Sequence, residues 1–138
     1  MNIVRCLDTI DRLCSRPFPA EHGWSDVGRG GPGYFITELG PDAADLTADD
    51  VEACREAMAE RLNERWGGAP SWATLTLRVR GERGDDIPEP WATLGAQVDE
   101  AYLWQAAGTG RWVAVGVVAR AGTEAGSLLA VVTETDPP

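Results

Sequence analysis

A chain of 138 residues with 22 carboxylates against 12 basic residues, all arginine, has a formal net charge of −10, a field that disfavours nucleic-acid backbones and anionic lipid headgroups, which bind through cations. With no lysine amine in the chain, Walker-type phosphate loops, protein-kinase ATP sites, Schiff-base and pyridoxal chemistry and Ser-x-x-Lys hydrolases are excluded. A single histidine, His22, excludes paired-His zinc sites and His-rich metal cages.

Residues 3–14 place Ile3, Val4, Leu7, Ile10, Leu13 and Cys14 at spacings of three and four, with Asp8 and Arg12 as an i,i+4 pair on the polar side. This predicts an amphipathic helix, ended by Pro17 and Pro19. The charges at Arg5, Asp8, Asp11 and Arg12 interrupt the apolar run of a signal peptide, so a cytoplasmic protein is expected.

A glycine-rich loop is expected from there to Gly33. Its string Gly-Arg-Gly-Gly-Pro-Gly at 28–33 satisfies G-x-G-x-x-G. Dinucleotide binding needs that string between a strand and a helix, whereas here it follows a loop and precedes a strand, so it reads as a connector. His22 near Ser25 and Asp26 suggests a triad, but no nucleophile elbow accompanies them and a hydrogen-bonded loop histidine is the simpler reading.

Residues 34–39, Tyr-Phe-Ile-Thr-Glu-Leu, predict a short strand closed by Gly40-Pro41. A second helix opens at Thr47 and Asp50, a capping-box-like pair, and stops at Gly67-Gly68. Val51, Cys54, Met58, Leu62 and Trp66 form its apolar stripe. Nearly opposite stand Glu52, Glu56, Glu60 and Glu64, four residues apart, which is one slanted acidic ridge. Like charges at this spacing cost about 0.2 to 0.5 kcal/mol per pair on an isolated helix. The surrounding segment 42–66 sums to −5, against −1 for 1–41 and −4 for 67–138.

After Pro70, Ala73, Leu75, Leu77 and Val79 alternate with Thr74, Thr76, Arg78 and Arg80, predicting a strand with one buried face. Trp72, Arg78 and Arg80 then share the opposite, uncovered face, a combination enriched at binding hot spots. Residues 81–90 predict a polar loop in which Asp85-Asp86, flanked by Glu82 and Glu89, lacks an EF-hand pattern and reads as a solvated turn. Residues 91–100 fit either irregular chain or a short helix. Residues 101–107, 111–120 and 127–134 predict three strands joined by glycine-containing links, an antiparallel meander.

This order predicts an α+β fold: one domain over residues 1–135 with a disordered tail at 136–138, built as a two-layer sandwich of about five mostly antiparallel strands with two amphipathic helices on one face. Cys6, Cys14 and Cys54 form no C-x-x-C pair and sit beside apolar helix positions, as reduced, buried small hydrophobes would. The all-arginine basic set with abundant Ala and Gly suits a GC-rich bacterial genome.

The functional expectation is a non-enzymatic cytoplasmic interaction protein without cofactor or metal. Its acidic helix face (Glu52, Glu56, Glu60, Glu64) docks a basic partner protein, as an inhibitor or immunity-like protein would, with Trp72, Arg78 and Arg80 as a second contact surface. The alternative is a small-ligand binding domain or enzyme with a tryptophan-lined cavity between sheet and helices. A homodimer through the uncovered sheet face is a third possibility.

Overall fold

The computed structural model describes residues 3–25, 28–39, 48–68, 71–118 and 127–138. In chain order they form α1 (Ile3–Ser15), β1 (Gly23–Ser25), β2 (Gly28–Gly31), β3 (Tyr34–Leu39), α2 (Ala48–Trp66), β4 (Ser71–Trp72), α3 (Leu75–Glu82), α4 (Trp91–Gln97), β5 (Val98–Ala106), β6 (Arg111–Val118) and β7 (Leu128–Thr133). The strands join in one antiparallel sheet of order β1-β2-β3-β7-β6-β5-β4. The chain is therefore α+β, with seven strands among the described residues rather than about five. The caps expected at Thr47 and Gly40-Pro41, Asp26 and the link 121–126 lie outside the described residues.

Alternation along the central strands divides the apolar side chains between two faces. Phe35, Val113, Val115, Leu128, Ala130 and Val132 face α1 and α2, where Ile10, Leu13, Val51, Met58 and Leu62 complete one core. Tyr34, Ile36, Ala114, Leu129 and Val131 face the other way, into a second core with Leu77 of α3 and Trp91 and Leu94 of α4. The expected pair of helices on one face is thus joined by a second pair on the opposite face. β7 accounts for this: all six of its residues are buried, as in strands covered on both sides.

The strand expected over residues 73–80 is α3. Its apolar alternation does not follow burial: Leu75 is 44% and Val79 38% exposed, whereas Leu77 is only 2% exposed. The buried positions are instead Thr74 and Leu77, with half-buried Arg78 beside them, at helical spacing. Thr74 Oγ1 donates to Val98 O at 2.5 Å, Arg78 Nε donates to Gly95 O at 3.0 Å, and Thr76 Oγ1 donates back to Ala73 O at 2.8 Å. Tertiary contacts decide the conformation where the local pattern fits two. Gly95 lets the two short helices meet, since a Cβ there would stand 2.7 Å from Leu77 Cβ.

The glycine-rich segment expected to be a loop holds β1 and β2. A Cβ at Gly31 would come within 2.6 Å of both His22 Nδ1 and Tyr34 Cε1, so only glycine allows this strand to lie so close to its neighbours. The segment satisfying G-x-G-x-x-G is therefore largely a strand, not a turn opening a helix. Residues 91–100, which fit two readings, divide into α4 and the start of β5. The C-terminal segment is tied to the second core: Trp91 Nε1 donates to Thr135 O at 3.2 Å and Trp112 Nε1 to Asp136 Oδ1 at 3.1 Å.

Candidate functional site

α2 turns its carboxylate row outward. Glu52, Glu56, Glu60 and Glu64 are exposed, while Val51, Met58 and Leu62 are completely buried. Arg65 anchors the C-terminal end to α1 through Asp11 at 2.7 Å. The row is not electrostatically uniform. Arg55, largely buried beneath it, pairs with Glu52 and lies 3.3 Å from Glu56, and its guanidinium sits 5.0 Å from the Tyr102 ring centre. Glu56 also accepts the Tyr102 hydroxyl at 2.7 Å. Glu60 and Glu64 take part in no ion pair among the described residues.

Beside the row lies an open groove of about 490 Å³, floored by Ala53, Ala57 and Ala59 and bordered by Glu56, Glu60, Asn63 and Tyr102. Small side chains on the helix leave room there, and acids line one wall. Tyr102 has its hydroxyl pKa raised, first by the hydrogen bond to Glu56, then by burial and the Glu56 charge. The negative field of the wall is therefore felt by the neutral group next to it.

Trp72, Arg78 and Arg80 do not form the second surface expected of them. Trp72 on the edge strand β4 packs edge-on against Trp91, ring centres 5.5 Å apart, beneath α3 and α4 rather than on an open sheet face. Arg78 Nη2 donates to Asp99 at 2.8 Å, and Arg80 Nε lies 3.2 Å from Asp85. Both arginines pair with acids of the same molecule. The sheet face proposed for homodimer contact is covered around Trp72 by these two helices.

The same face is open at its other end. Trp24, Arg29 and Ile36 stand directly opposite one another across β1, β2 and β3, so their side chains share a face. A cavity of about 520 Å³ remains there, with Ile36 and Leu129 in its floor, Arg29 and Glu38 on the sheet, and Thr93 and Gln97 on the helix side. Trp24 lies on its rim and is 83% exposed. Arg29 Nη1 donates to Thr93 Oγ1 at 3.1 Å, and that hydroxyl donates to Glu89 at 2.7 Å. Sequence reasoning missed these residues. The available signal was a tryptophan and an arginine, five positions apart, in an otherwise small and polar stretch.

His22 does not join Ser25: its Nδ1 hydrogen-bonds the buried Tyr34 hydroxyl at 2.5 Å, while Ser25 Oγ donates to Gly28 O at 3.3 Å. Among the described residues no three His, Cys, Asp or Glu side chains converge as metal ligands, and no helix is long and apolar enough to cross a membrane. The chain matches no family model, and no curated protein or solved structure matches it.

Proposed function

We propose that this protein is a non-enzymatic, cytoplasmic binding protein that docks a basic partner protein through the exposed face of α2, in the manner of an inhibitor or immunity-like protein. The observation that carries the reading is the pair Glu60 and Glu64, exposed and in no ion pair among the described residues, beside a groove of small residues. Arg55 already compensates Glu52 and Glu56, which moves the centre of the docking surface toward the C-terminal half of the helix. An arginine or lysine side chain of a partner laid across Ala53 and Ala57 would reach Glu60 and Asn63. Complementary charge of this kind speeds encounter and fixes orientation more than it adds affinity. Alanines at the contact keep the approach close at little entropic cost.

The test is the double substitution Glu60→Gln and Glu64→Gln, with association to a partner captured from the native host followed at several ionic strengths. The expected result is an association rate lowered about tenfold at low salt and a flattened salt dependence. Unchanged rate and unchanged salt dependence would dispose of the docking surface.

A further inference from the structure

The cavity at the β1–β2 end of the sheet has three properties of a small-molecule site. It is concave and, at about 520 Å³, within the range of small-molecule sites, roughly 300 to 1,000 Å³. Its floor is apolar and its rim carries Trp24, the most exposed large apolar side chain among the described residues at 83%. Its cation, Arg29, is partly buried and has no carboxylate within ion-pair distance among the described residues; its recorded partner is the neutral hydroxyl of Thr93.

In a chain of net charge −10, an arginine that pairs with no acid among the described residues is a candidate recognition element. A guanidinium presents a planar fork suited to a carboxylate. One nitrogen is occupied by Thr93, leaving donors for the cavity. Among the described residues no second arginine lines it, and Glu38 stands in the same wall, so a doubly charged group such as a phosphate monoester would meet repulsion with one cation to offset it. A singly charged anion fits this balance. The flat indole on one side and Ile36 with Leu129 below suit a planar apolar body, because indole stacking and aliphatic floors both reward flat rings.

We propose that this cavity binds a small aromatic carboxylic acid as its monoanion, with the carboxylate on Arg29, the ring against Trp24 and the Ile36–Leu129 floor, and Gln97 as a further hydrogen-bonding group. This site is separate from the α2 surface, and neither reading depends on the other.

The test uses 2-naphthoate and its uncharged counterpart 2-naphthamide as probes, titrated calorimetrically into the full chain and into three variants whose fold is checked by circular dichroism. The native chain binds the anion at least tenfold more tightly than the amide. Arg29→Gln removes that preference, Arg29→Lys retains part of it, and Trp24→Ala, at a position 83% exposed, weakens both probes several-fold. Binding of neither probe at millimolar concentration, or an undiminished anion preference in Arg29→Gln, overturns the proposal. Should Arg29→Gln fail to fold, affinities unaltered by Trp24→Ala overturn it. A Trp24-dependent dimer in sedimentation that binds no probe overturns it in favour of a contact between copies.

Discussion

Tyr102 on β5 donates its hydroxyl to Glu56 of α2 at 2.7 Å, joining the acidic helix face to the sheet by one hydrogen bond across the surface. The carboxylate accepts this bond only while the phenol keeps its proton, so ionising Tyr102 would both break it and set two negative charges together. Tyr102 is therefore expected to ionise above the ordinary tyrosine value of 10.0. Absorbance titration of the phenolate should show this late step, and Glu56→Gln should bring it back down. Because the folded-state pKa is the higher one, the contribution to stability is complete below the unfolded value and is lost as pH rises through the raised one. A late step that persists unchanged in Glu56→Gln would contradict this account of its cause.

Two glycines in adjacent helices should respond to alanine with opposite signs. Gly95 of α4 has Leu77 Cβ within 2.7 Å of where its own Cβ would be, with Thr74 O at 3.3 Å, whereas Gly81 of α3 has nothing within 4 Å. Alanine gains about 0.8 to 1.0 kcal/mol over glycine in a helix interior, but overpacking a tight contact costs about 1 to 3 kcal/mol. At Gly95 the clash wins, because a Cβ cannot rotate away and backbone lies close behind it. Gly95→Ala is expected to destabilise by up to about 2 kcal/mol net, and Gly81→Ala to stabilise by about 0.5 kcal/mol, being near the helix end. Denaturant unfolding of the two variants checks the signs. A stabilised Gly95→Ala would mean that the α3–α4 crossing is looser than described.

Much of the fold is legible in the amino-acid order. The stripe Val51, Met58, Leu62 with its outward carboxylates gives α2 and its orientation, and Tyr34–Leu39 and the three C-terminal strands follow from β-branched and aromatic runs. The second helix pair was not legible from Leu-Thr-Leu-Arg-Val-Arg, which satisfies a period of two while its burial follows Thr74 and Leu77. A different signal was available in Leu-Leu-Ala-Val-Val of β7: an unbroken apolar run has no side to give to solvent, so cover on both faces is implied. The cavity was out of reach for a further reason. It depends on Trp24 and Arg29 meeting Ile36 in register and on Arg29 reaching Thr93, 64 positions away, which no local periodicity encodes. The glycines that permit the hairpin also hide it, since they lower strand propensity where close approach is needed.

Cys14 gives a chemical reading of the α1 environment. Burial pushes its thiol up from 9.0 to about 11, assisted by the charge of Asp11 and opposed by Arg111 and Arg65. At pH 8 this leaves roughly a hundredth of the thiolate an unperturbed cysteine would have, and the greater nucleophilicity of a more basic thiolate returns about tenfold. Alkylation of Cys14 by iodoacetamide should then be about tenfold slower in the folded chain than in urea, before any steric shielding is counted. The stability linked to this proton is complete below 9.0 and is lost as pH rises through about 11. Asp11→Asn removes the acid that raises the pKa and releases Arg65 from its ion pair at 2.7 Å, and both changes favour the thiolate. Peptide-level mass spectrometry should therefore find Cys14 modified faster in Asp11→Asn than in the native chain. Equal rates in the two folded proteins would leave burial alone as the cause, with Asp11 electrostatically irrelevant to the thiol.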